Sequence, residues 1–136
     1  MDETERTRGV VRRYLQTMSA RDWDGFGELL SEDVCYEMPQ TRELIAGREK
    51  FVSFNREYPG EWRFAVSRLI ADGSTAAGSM NVTVGDAELV GLAFFELQGG
   101  LITRVTDFWP EPYEPPAGRE HLVDRVPSGP DRLSAP

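Results

Sequence analysis

Apolar residues at Val10, Val11, Tyr14, Leu15 and Met18 recur at helical spacing, with Glu and Arg residues between them, and predict a first amphipathic helix. Ser19–Asp22 breaks that pattern, and Asp22 is placed to cap a second, shorter helix whose stripe is Trp23, Phe26, Leu29 and Leu30. Gly25 and Gly27 make this helix weak on its own, so packing must hold it. Val34–Met38 reads as a strand closed by Pro39. Gln40–Ala46 reads as a loop, followed by Gly47 and a third helix over Arg48–Arg56 carrying Phe51, Val52 and Phe54. Beyond Pro59-Gly60 the period changes from helical to strand-like. Four runs follow: Trp62–Ala71, Thr75–Val84, Glu88–Leu97 and Leu101–Trp109. Asp72-Gly73, Gly85-Asp86 and Gly99-Gly100 separate them, each a favourable hairpin turn. Three helices and one early strand ahead of a four-strand antiparallel meander make an α+β chain. Residues 110–136 hold seven of the nine prolines and are expected to be irregular.

A two-residue turn at Gly99-Gly100 sets Leu92 opposite Asp107 and Phe94 opposite Val105 on one face, with Phe95 and Ile102 on the other. Leu89–Leu97 is apolar on both faces, unlike a strand with one side in water. One face must cover the helices. The other needs a partner, most economically the same face of a second copy, which predicts a homodimer. The alternative cover is the C-terminal tail.

Composition narrows the function classes. With 136 residues, 40% hydrophobic and 28% charged, the chain fits one domain of ordinary globular make-up. A net charge of −8, with arginines scattered among acids, argues against nucleic acid, which requires a basic stripe. No apolar run is long enough for a membrane span, and the polar opening MDETERTRGVV lacks a signal-peptide core. A single cysteine, Cys35, rules out an internal disulfide framework, and the expected location is cytoplasmic. One histidine and one cysteine predict no metal site of the zinc type.

The candidate chemistry lies in LITRVTDFW, Leu101–Trp109, where Asp107 interrupts an apolar and aromatic strand. Aspartate is depleted in strands, and a carboxylate on a buried face is costly unless it has a partner or a task. In an apolar setting its pKa rises towards the range of acid–base work. The competing reading is a solvated aspartate at a strand end. Tyr36 is a candidate hydrogen-bond donor to a substrate oxygen, or a core tyrosine. Trp109, Trp62, Phe54, Phe94 and Met38 are candidate walls for a flat or acyl-chain ligand, and each is equally suited to a core. Trp109 has the best claim, since strand alternation sets it on the face of Asp107. Asn81, polar in mid-strand, is either a ligand anchor or solvent-facing. His121, beyond the prolines in AGREHLVDRV, is a titrating group only if the tail folds over a pocket mouth.

The passages RDWDGFGELLSEDVCYEMP, GREKF and GGLITRVTDFWPEP, in this order, resemble the nuclear transport factor 2-like superfamily, and within it the SnoaL-like polyketide cyclase group. The likeness covers about residues 5–113, and it implies a cone-shaped curved sheet wrapped around three N-terminal helices, with an apolar pocket at one end. Residues 1–113 would form the cone domain and 114–136 a Pro-rich irregular tail. The superfamily includes ketosteroid isomerases, polyketide cyclases, dehydratases and epoxide hydrolases that typically use no cofactor, so none is expected. Asp107 matches a family position for a pocket aspartate, and Tyr36 the position of a water-holding tyrosine in the epoxide hydrolases. The chain departs from the epoxide hydrolases, with Met38 in place of an amide and Val105-Thr106 ahead of Asp107 where they carry an arginine. The resemblance therefore implies an acid–base enzyme of cyclase, isomerase or dehydratase type acting on a hydrophobic, carbonyl-bearing small molecule. Its rival is a non-catalytic ligand-binding or dimeric regulatory module of the same fold.

Overall fold

The computed structural model describes residues 2–127. Helix α1 runs Glu3–Ala20, α2 Trp23–Glu28 and α3 Arg48–Arg56. The strands are β1 Leu30–Met38, β2 Glu43–Ala46, β3 Trp62–Asp72, β4 Thr75–Val84, β5 Ala87–Gln98 and β6 Leu101–Phe108. They form one curved, unclosed sheet in the order β2-β1-β6-β5-β4-β3. Every neighbouring pair is antiparallel except β1 and β6. This is the expected α+β cone, with one strand more than expected. The loop at Gln40–Ala46 contains β2, which pairs with β1 through Cys35↔Ala46 and Met38↔Glu43. Four residues with mixed exposure carry too little alternation to be read as a strand.

Capping follows the sequence closely. Asp2 Oδ1 accepts from the Glu5 amide at 2.8 Å, and Asp22 Oδ1 from the Gly25 amide at 3.0 Å. The α1 stripe turns inward, with Val11 fully buried and Tyr14, Leu15 and Met18 nearly so. Its first two turns grip the β3–β4 turn, since Thr7 Oγ1 donates to the Gly73 carbonyl at 2.6 Å and the Gly73 amide donates to Thr4 Oγ1 at 2.9 Å. A cluster of rings fills the concave side of the sheet. Tyr14 meets Phe95 edge-on at 5.1 Å between centroids, and Tyr36 stacks on Phe51 at 4.8 Å. Each such buried ring contributes roughly 1.5–3 kcal/mol of apolar burial.

Strand pairing beside Asp107 differs from the simple hairpin. Gln98↔Leu101 and Leu97↔Ile102 pair as expected, but the next pair is Glu96↔Arg104, so Thr103 is an extra residue in β6. Its hydroxyl donates to the Glu96 carbonyl at 3.1 Å, filling the bulge. The inserted residue reverses the alternation beyond it. Asp107 therefore faces Ala93 and shares the concave side with Phe95 and Val105, while Leu92 and Phe94 pair with Phe108 and Thr106 on the convex side. The expected pairings of Leu92 with Asp107 and Phe94 with Val105 are corrected by one residue. Residues 110–127 carry no helix or strand beyond a single 3₁₀ turn at Glu120–Leu122, and His121 is exposed there. No helix among the described residues is long and apolar enough to cross a membrane.

Candidate active site

A cavity of about 270 Å³ opens between α1, α3 and the concave face of the sheet. Strand β1 delivers Tyr36 and Met38 to it, β3 Trp62 and Phe64, and β4 Met80 and Val82. Helix α3 supplies Phe54 and Asn55, and the end of β6 supplies Asp107 and Trp109. Among the expected wall residues, Trp109, Trp62, Phe54 and Met38 line this space beside Asp107 and Tyr36. Phe94 and Asn81 do not. Phe94 is 52% exposed on the convex face, and Asn81 lies on that same face, paired with Ala65 and Val90.

The Tyr36 hydroxyl donates to Asp107 Oδ2 at 2.7 Å. This is possible because β1 and β6 run parallel with Tyr36↔Val105 in register, which brings Tyr36 alongside the last turn of pleat before Asp107. Burial raises the Asp107 carboxyl from its ordinary 3.8 to about 6, since the apolar surroundings disfavour the charged form. Hydrogen bonds from the side chains of Tyr36 and Trp109 pull the other way and hold the rise in check. Burial, with the Asp107 charge and its hydrogen bond behind it, drives the Tyr36 hydroxyl far upward, so that it keeps its proton.

Tyr14 is the functional candidate that sequence reasoning missed. It lies in the α1 stripe, where it reads as one more core ring. Yet it lines the cavity, and the Asp107 charge acts on it directly, after burial, in raising its hydroxyl. That hydroxyl makes no hydrogen bond among the described residues, while Tyr36 is committed to the carboxylate. The available signal was a hydroxyl-bearing ring set among the apolar residues Val10, Val11, Leu15 and Met18 of the helical face.

Trp109 is seated by two contacts. Its backbone N–H donates to Gln40 Oε1, tying the β1–β2 connection to the end of β6. Its indole lies flat on Gly91, where a Cβ would come within 2.7 Å of the ring. Only glycine leaves room for that approach. Trp62 is pinned from behind by Arg21, whose guanidinium stacks 3.5 Å from the ring centroid and donates to the Trp62 carbonyl.

Similar structures share this architecture. A crystal structure of a candidate ketosteroid isomerase from Kribbella flavida DSM 17836 is 57% identical, covers 93% of this chain and 93% of its own, and superposes with a TM-score of 0.91. A candidate polyketide cyclase from Xanthomonas campestris pv. campestris is 26% identical over 80% of this chain and 93% of its own, with a TM-score of 0.65. An LEH-like epoxide hydrolase from M. tuberculosis, 23% identical over 80% of this chain and 86% of its own, has a TM-score of 0.70 and shares the fold. No curated protein is significantly similar in sequence. Residues 11–105 match the SnoaL-like domain, and the chain belongs to that family within the nuclear transport factor 2-like fold.

Proposed function

We propose that the chain is an acid–base enzyme that moves a proton next to the carbonyl of a hydrophobic small molecule. The supporting observation is the Asp107 carboxyl on the wall of an apolar cavity, raised to about 6 and held by Tyr36 at 2.7 Å. Near pH 7 such a group is largely ionised yet basic enough to take a proton from an activated carbon. Tyr36, bonded to Oδ2, and the Trp109 side chain fix the carboxylate on the cavity wall, where it meets the substrate. Tyr14, kept protonated by burial, donates to the substrate oxygen as negative charge develops on it. Met38, Phe54 and Trp62 exclude water and preserve the low dielectric on which the carboxyl depends. Delivery of the proton to a second carbon gives isomerisation. Attack of the enolate carbon on a second carbonyl of the same molecule, whose oxygen takes the proton back from Asp107 as its C=O π bond opens, gives cyclisation, and loss of a β-hydroxyl as water with that proton gives dehydration.

The convex face supports the second part of the reading, a homodimer. Ile70, Leu92 and Phe94 are exposed there, and Phe94 meets Phe108 edge-on at 6.1 Å. Arg104 with Glu37 and Glu96 borders the patch with both signs of charge, as a self-complementary face requires.

The test is exchange of the α-hydrogens of 2-tetralone for deuterium in D₂O, followed by proton NMR. The wild-type chain accelerates exchange over buffer and Asp107→Asn does not. Equal exchange in both, with the variant folded, overturns the catalytic role.

A further inference from the structure

The walls of the cavity define the kind of molecule it takes. Among the described residues its titratable lining groups are Asp107, Glu111 and three tyrosines, Tyr14, Tyr36 and Tyr58, with no lysine, arginine or histidine. Arg21, stacked on the Trp62 ring and bonded to the Trp62 carbonyl, does not itself line the cavity. A bound carboxylate, phosphate or sulfate would share the cavity with Asp107 and meet no counter-charge among the described lining residues, a cost of several kcal/mol in a desolvated site. Glu111 at the rim and the net charge of −8 oppose the approach of an anion as well.

Size is limited as firmly as charge. Filled to the packing density of a protein interior, about 0.74, the cavity of about 270 Å³ encloses about 200 Å³ of ligand, roughly a dozen non-hydrogen atoms. That is one ring with a short chain, or two fused rings. A tetracyclic skeleton would leave a large part of its apolar surface in water.

From these two limits we infer that the substrate is an uncharged carbonyl compound of one or two rings, and that neither an anionic acyl conjugate nor a full steroid is accommodated. The inference rests on the proposed function for the carbonyl, but the limits on charge and size stand on the cavity itself. Asn55 adds a neutral polar point on the wall: its amide donates to the Phe51 carbonyl at 2.9 Å, and its own carbonyl oxygen remains an acceptor suited to a hydroxyl rather than to an anion.

Isothermal titration calorimetry on the full chain at pH 7.5 with three probes tests this. 2-Tetralone is neutral and bicyclic, 2-naphthoate is its anionic counterpart, and androst-4-ene-3,17-dione is neutral and tetracyclic. 2-Tetralone should bind at least about ten-fold more tightly than either of the others. In Asp107→Asn the naphthoate penalty should shrink by about ten-fold while 2-tetralone binding is kept, because the repelling charge is gone. Equal or tighter binding of the steroid or of naphthoate by the wild-type chain overturns the inference, as does a failure of 2-tetralone to bind. Deuterium exchange measured on the same samples separates the two claims. Selectivity without exchange leaves the inference standing and removes the base, and exchange without selectivity does the reverse.

Discussion

The two faces of this sheet are built from the same strands, and neighbouring residues have opposite fates. On the concave side Ala93, Phe95, Val105 and Met80 are buried, and Asp107 is the one acid brought among them. On the convex side their immediate neighbours Phe94, Thr106, Phe108 and Asn81 face outward. Apolarity does not distinguish the faces, since Phe94 and Phe95 are the same residue type at 52% and 1% exposure. The difference lies in what covers them. Helices α1 and α3 close over the concave face and leave a cavity with Asp107 buried in its wall, whereas the convex face is left with an apolar centre and a charged border. The lesson is that the desolvation that makes Asp107 basic is supplied by the helices, and that the same side chain one position along β6 would be an ordinary surface acid.

Substitutions should separate the faces, beginning with the largest effect. Asp107→Asn should lower proton transfer by about 10²–10⁴-fold, the usual contribution of a positioned general base, measured by 2-tetralone exchange. The same variant should be more stable than wild type at pH 7. Because the folded carboxyl is raised from 3.8 to about 6, the folded chain holds a proton that the unfolded chain has released. Stability is therefore lost as pH rises from about 4 to 6 and is level above. Removing the group should return about 1–3 kcal/mol above pH 6 and nothing below pH 4, read from denaturant melts at both pH values.

Tyr36→Phe comes next. It removes the bond that lowers the Asp107 pKa, so the midpoint of the pH–rate profile should move upward, by about one pH unit for each 1.4 kcal/mol of hydrogen bonding lost. A midpoint that stays put would show that Tyr36 does not tune the carboxyl. Gly91→Ala should cost about 1–3 kcal/mol of stability and displace Trp109, visible as a change in tryptophan fluorescence, because its Cβ would sit 2.7 Å from the ring. On the convex side, Phe94→Glu should leave exchange within about two-fold while converting a dimer to a monomer by light scattering. Asn81→Ala should change stability by no more than about 0.5 kcal/mol.

Much of this arrangement was legible from the chain alone. Helical spacing located α1 and α3, and the turns Gly85-Asp86 and Gly99-Gly100 delimited the meander, because these signals are local. Asp107 announced itself as an acid in an apolar strand. The side it faces was not readable, since that depends on Thr103, whose extra residue is stabilised by a bond to Glu96 across the hairpin rather than by any local preference. Phe94 and Asn81 were misplaced as wall candidates for the same reason, an alternation that a single bulge or a correct register is needed to anchor. Tyr14 escaped because a core ring and a site hydroxyl have the same helical spacing. Its role depends on Asp107, 93 positions away, arriving beside it.

Everything rests on the proton affinity of one side chain. Carbon-13 NMR of the labelled chain, with the Asp107 carboxyl resonance assigned by its absence in Asp107→Asn, measures that affinity across pH 3–8. A titration midpoint near 6 is expected. A midpoint at or below the ordinary 3.8 would mean a solvated or fully paired carboxylate and would contradict a base in an apolar cavity.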